Sequence, residues 1–165
     1  MYEQVATGVN GQPDQKNRCL FLDGIMMSCL HDEKTYHETL IHPAMIASPN
    51  PRRVAVLGGG EGASIRELLK YSSVEKAYML ELDNDVVDLC KRNLPTMSDG
   101  AYSNPRTDLR IGDAFDFFAS PEGEEGVHVR DVVRRATSLL FAPRIRTISL
   151  RSPSRVVCLF APCNS

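Results

Sequence analysis

The run Val54-Ala-Val-Leu-Gly-Gly-Gly-Glu-Gly-Ala63 constrains this chain more than any other feature. Four apolar residues without a polar break suit a strand covered on both faces. The glycines that follow allow a tight turn and a close approach of ligand to backbone where the next helix begins. Downstream the pattern alternates. Ala63–Tyr71 reads as a helix with Ile65, Leu68 and Leu69 inward, and Lys76–Leu82 as a second strand. Asp85–Leu94 reads as a helix that packs through Val86, Val87, Leu89 and Cys90, and Thr107–Ile111 as a third strand ahead of a helical turn through Phe118. This succession predicts an α/β fold: the opening of a Rossmann-like, doubly wound parallel sheet.

Upstream, Arg18–Leu22 and Ile25–Met27 flank Asp23-Gly24 and predict a β-hairpin. Thr35-Tyr-His-Glu38 has the form of a capping box, and the helix it opens carries Leu40, Ile41, Ala44 and Met45 at helical spacing past Pro43. The organisation expected is a β-strand region over 1–30, the first half of a nucleoside-binding domain over 31–119, and an atypical tail over 120–165. In that tail Val129, Val132, Val133, Ala136, Leu139 and Leu140 keep helical spacing, and Ile145–Ala161 offers strand material, but Arg, Ser, Pro and Cys dominate.

Charge sharpens the division. Residues 1–120 carry 12 basic and 17 acidic side chains, residues 121–165 carry 7 and 4, and all five lysines precede residue 92. A net charge of −2 argues against a nucleic-acid or membrane-surface partner. No apolar run approaches the roughly 18 residues of a membrane span, and the polar N-terminus is unlike a signal peptide. A cytoplasmic protein is expected. The five cysteines lack CxxC spacing, so reduced thiols are expected and neither a disulfide framework nor a metal site.

Gly58-x-Gly60-x-x-Ala63, with Glu81 23 residues after Gly58, fits the dinucleotide fingerprint. Glu61 redirects that reading. A carboxylate in the turn repels a pyrophosphate but suits a cationic ligand such as an adenosyl sulfonium. Glu81 is placed to accept from ribose hydroxyls, and Asp113-Ala114 to meet the adenine amino group. Asp83, Asp85 and Asp113 suit helix capping equally well.

These residues resemble the polyamine aminopropyltransferases, the spermidine, spermine and thermospermine synthases. The resemblance rests on Leu22-Asp-Gly-Ile-Met-Met27, Asp32–Pro43, Gly58-Gly-Gly-Glu-Gly62 with Arg66-Glu67, Leu80-Glu-Leu-Asp83 and Gly112-Asp-Ala114, and it spans about 70% of the chain. Glu61 with Leu40-Ile-His-Pro43 is closer to the thermospermine synthases. The resemblance implies transfer of an aminopropyl group from decarboxylated S-adenosylmethionine, a co-substrate, to putrescine or spermidine, releasing methylthioadenosine, with no prosthetic group. It implies a nucleoside-binding set of Gln4, Gly58, Gly60, Glu81, Asp113 and Ala114, and a polyamine set of Tyr36, His37 and Glu61. It also implies subunit pairing through the N-terminal region.

Two departures stand out. Met27 replaces a glutamine common in relatives. The family's general base, an aspartate in an Asp-Val-Ile-x-x-Asp-x-x-Asp-Pro-like run after Gly112-Asp-Ala114, has no counterpart in Phe117-Phe-Ala-Ser-Pro-Glu-Gly-Glu-Glu-Gly126. Asp131 is the only aspartate beyond Asp116, and nothing in its surroundings identifies it as that base. The expectation is a chain that a frameshift, retained intron or alternative exon diverts near residue 119, with no catalytic residue assigned. A class I methyltransferase is the alternative, disfavoured because Val56 stands where those enzymes carry an acid. A non-catalytic subunit is the other, and an NAD-binding protein comes last because of Glu61.

Overall fold

The computed structural model describes residues 17–22, 24–48 and 50–121 in full; beyond them it places only the strands at 2–3, 6–7, 13–14, 129–133 and 156–160. The strands are β1 (Tyr2–Glu3), β2 (Ala6–Thr7), β3 (Pro13–Asp14), β4 (Arg18–Leu22), β5 (Ile25–Cys29), β6 (Arg53–Leu57), β7 (Lys76–Glu81), β8 (Thr107–Ile111), β9 (Val129–Val133) and β10 (Val156–Phe160). The helices are α1 (Glu33–Ala47), α2 (Ala63–Leu69), α3 (Asn84–Asn93), α4 (Pro95–Ser98) and α5 (Ala114–Ala119), with a 3-10 turn at Ala101–Ser103.

The expected parallel sheet is present. β6 pairs with β7 in the register Val56↔Met79, and β7 with β8 in the register Glu81↔Ile111. Their C-terminal ends, Leu57, Glu81 and Ile111, therefore share one edge. Side-chain alternation divides the core. Val54, Val56, Ala77 and Met79 pack with Ile41, Met45, Ile65 and Leu68 of α1 and α2. Ala55, Tyr78 and Leu80 face the other way, onto Phe117 and Phe118 of α5. Each fully buried Val, Leu or Ile contributes about 1.5–3 kcal/mol, so this two-sided burial fixes the sheet edge.

β10 pairs parallel with β6 and β9 with β10, giving the order β8-β7-β6-β10-β9. Val129, Val132 and Val133, whose spacing suggests a helix, are thus strand residues; β-branched side chains favour that state. The antiparallel β4–β5 hairpin forms as expected, with Gly24 at φ 78° in its turn. It sets Cys19 opposite Cys29, and the two form a disulfide. The expectation of reduced thiols fails for this pair because the register brings them face to face, a relation that spacing along the chain does not display.

The capping box is also corrected. α1 starts at Glu33 after Asp32, so Thr35 and Glu38 lie inside the helix. Arg66 draws Glu33 into the helix by binding its carboxylate through two nitrogens at 2.8 and 3.1 Å. Pro43 does not end the helix; it sits on the exposed face, where water can satisfy the carbonyl it leaves unpaired.

Candidate active site at the strand ends

The turn after β6 is shaped by glycine. Gly60 has no room for a side chain, since a Cβ there would lie 2.8 Å from Val86 Cγ1 and 3.1 Å from Glu81 Oε2. Gly62, at φ 80°, would meet Ser98 and Tyr102. The Gly58 amide donates to the Leu80 carbonyl at 2.8 Å, which carries the sheet ladder into the turn. Tyr102 donates its hydroxyl to the Gly60 carbonyl. Burial, Cys90, Glu61 and Glu81 together raise the Tyr102 pKa, so it remains a donor. The turn is held before any ligand arrives.

That rigid turn presents Glu61 inward, 7% exposed. His37, one turn into α1 and 1% exposed, lies with Nε2 2.9 Å from Glu61 Oε1 and Nδ1 2.6 Å from the Glu33 carbonyl. Burial alone lowers the His37 pKa, but the hydrogen bond and charge of Glu61, helped by Glu33, outweigh it and raise the value. Behind this pair Arg66 joins Glu33 to Glu67 and donates to the Met97 carbonyl at 2.6 Å. Tyr36 stands beside His37 with ring centroids 4.9 Å apart, and burial together with Glu61 raises its pKa.

Glu81 closes β7. Its Oε1 accepts from the Leu82 and Asp83 amides at 2.8 and 3.2 Å. Burial raises its pKa and Glu61 adds to the rise, against the pull of backbone amides including that of Gly60. The same surroundings push the Cys90 thiol up to about 12, so it stays protonated filling.

Tyr36, His37, Gly58, Gly60, Glu61 and Glu81 thus line one cleft, together with Met27, Leu20, Leu22 and Val86. It is a small, partly open cleft of about 60 Å³ that brings Glu61 and Glu81 to one place. Asp113 and Ala114 sit outside it, at the neighbouring end of β8. There Asp113 caps α5 by accepting from the Phe115 amide at 2.7 Å, and Asp83 caps α3 in the same way. Gln4 lies outside the described residues.

Sequence reasoning missed Tyr102 and the Glu33–Arg66 support. Their partners are 42 and 33 residues away, and no local pattern signals them. A larger cleft, about 750 Å³, opens over α1, α2 and the 3-10 turn. Within it Lys70 lies 2.6 Å from Glu67, and Arg106 donates to the carbonyls of Leu69, Tyr71 and Val74. Glu38, His42 and Glu67 group there as metal ligands would, but the Lys70 ammonium occupies the position beside Glu67.

Residues 33–134 match the Spermine/spermidine synthase domain family, a stretch that includes Tyr36, His37, the glycine turn with Glu61, Glu81, Asp113, Ala114 and β9. The chain is 45% identical over 130 residues to polyamine aminopropyltransferase 1 of Hyperthermus butylicus, which covers 78% of this chain and 43% of that protein. It is 50% identical over 98 residues to the polyamine aminopropyltransferase of Pyrobaculum calidifontis, covering 59% of this chain and 34% of that one. The spermidine synthase of Thermotoga maritima superposes with a TM-score of 0.60 at 37% identity, over 68% of this chain and 38% of that chain. A spermidine synthase in complex with the transition state analogue AdoDATO superposes equally well, over 36% of its chain. The chain spans less than half the length of these relatives. By sequence, by fold and by the acids at its strand ends, it belongs to the spermine/spermidine synthase family.

Proposed function

We propose that the strand-end site binds decarboxylated S-adenosylmethionine and a polyamine, for aminopropyl transfer in polyamine biosynthesis. The observation that carries this reading is the buried Glu61, paired with His37 in a cleft it shares with Glu81. The adenosyl group lies outward over the strand ends. Glu81 receives the ribose, and Asp113-Ala114 with Gln4 receive the base. Tyr36, His37 and Glu61 receive the amine.

In the reaction, the lone pair of a neutral acceptor amine attacks the methylene beside the sulfonium. A C–N bond forms, the C–S bond breaks with its electrons to sulfur, and methylthioadenosine leaves as a neutral thioether. The amine must shed a proton, so a base is required. The site's contribution is to hold nitrogen and sulfonium in line. Asp131 lies on β9, outside the described side chains, and no described side chain is assigned as the base. The acceptor is spermidine, on the thermospermine-like pattern of Glu61 and Leu40-Ile-His-Pro43, and the setting is the cytoplasm.

Calorimetric titration with methylthioadenosine, S-adenosylhomocysteine and NAD tests the ligand class. The reading expects methylthioadenosine to bind tightest, and a preference for S-adenosylhomocysteine refutes it in favour of a methyltransferase. Incubation with decarboxylated S-adenosylmethionine and spermidine then separates an enzyme from a nucleoside-binding subunit, according to whether methylthioadenosine accumulates.

A further inference from the structure

His37 is more than a lining residue, because its ring nitrogens face two acceptors. A backbone carbonyl oxygen can only accept, so at 2.6 Å from the Glu33 carbonyl Nδ1 must carry a hydrogen. In a neutral ring Nε2 would then present a lone pair to Glu61 Oε1 at 2.9 Å, two acceptors in contact with nothing between them. A second proton must lie on that line. Glu61 strengthens the ring's hold on that proton, so Nε2 carries it and the free site holds an imidazolium–carboxylate pair, both side chains out of water at 1% and 9% exposure.

Resting on the reading of the site given above, we propose that His37 is the positioning residue that carries this proton and releases it to solvent when an alkylammonium group docks on Glu61. The balance is simple. An alkylammonium ion and the imidazolium–carboxylate pair become an alkylammonium–carboxylate pair, a neutral imidazole and one free proton. Retaining the proton would set two cations against one carboxylate. At such short range in a partly buried site their repulsion is poorly screened. Releasing it turns Nε2 into an acceptor beside Oε1, and an ammonium can donate one hydrogen bond to each. The cleft thereby favours primary and secondary ammonium groups over quaternary ones, which have no N–H.

The other groups facing the pair do not supply the proton. Tyr36 from α1, Cys90 from α3 and Tyr102 from the 3-10 turn are all raised and stay protonated near neutrality. Glu33 is held by Arg66. Glu81, from β7, is the remaining candidate, and the His37→Gln variant separates it from His37.

The test is calorimetric titration of the full chain with spermidine, at one pH near 6.5, in buffers of different ionisation enthalpy. About one proton should be released per amine bound, and none in His37→Gln. Equal release from His37→Gln, or none from the wild type, overturns the proposal. Nitrogen-15 NMR of His37 provides a check without substitution: both ring nitrogens protonated in the free protein, only Nδ1 with spermidine present. An unchanged spectrum overturns the proposal as well. Methylthioadenosine, which is uncharged, separates the two levels. If it binds and spermidine releases no proton, the His37 proposal alone fails. If spermidine releases the proton and methylthioadenosine does not bind, the proposed function fails and the His37 proposal stands.

Discussion

The turn after β6 and the turn after β8 lie on the same edge of the sheet but treat their acids in opposite ways. Glu61 is enclosed, matched to a histidine, and supported through Glu33 and Arg66 by a buried chain of ions. Asp113 is exposed and satisfied by the amide of its own helix. Around it Phe115 and Ile111 remain exposed, at 54% and 46%. An enclosed carboxylate with a fixed partner favours one charge at one position, whereas an open edge with apolar side chains suits a flat, uncharged group. On the proposed function, the enclosed carboxylate is the amine end, built in advance, and the open edge is the adenine end, a surface that ligand would complete.

Breaking the support behind Glu61 should have the largest effect. Arg66→Met leaves Glu33 and Glu67 buried without their shared cation. We expect a loss of about 3–5 kcal/mol of stability, read from the urea midpoint. Gly60→Ala comes next. Its Cβ would overlap Val86 and press on Glu81, at a cost of about 1–3 kcal/mol for overpacking, with weaker methylthioadenosine binding in the same titration. Asp113→Ala removes only a cap, about 1 kcal/mol. If Asp113 also meets the base, methylthioadenosine affinity should fall more than stability does.

The smallest effect is a slope with pH. The folded His37 pKa is raised above its unfolded value. Its contribution is therefore complete below about 6.5 and disappears as pH rises through the folded value. The stability advantage of wild type over His37→Gln should be greatest in mild acid and shrink toward alkaline pH. An advantage that grows toward alkaline pH would contradict the imidazolium assignment.

Much of the sheet is legible in the sequence because its signals are local. Val54, Ala55 and Val56 alternate between two core layers, Thr107–Ile111 runs as expected, and the glycines announce the turn. The cap of α1 misleads for a non-local reason: Thr35 and Glu38 have the right spacing, but Arg66 binds Glu33 and starts the helix earlier. The residues of the cleft are legible one at a time, through their resemblance to a family. Their pairing is not, since His37 and Glu61 are 24 residues apart and meet only because α1 packs on α2. Tyr102 is invisible for the same reason.

The proposed division between an enclosed amine end and an open nucleoside end is tested most directly by Glu61→Gln, titrated separately with methylthioadenosine and with spermidine. The substitution keeps the shape of the turn and removes the charge. Methylthioadenosine binding should be nearly unchanged while spermidine binding falls at least about tenfold, the equivalent of roughly 1.4 kcal/mol. Equal losses for the two ligands, or retained spermidine binding, would contradict the division.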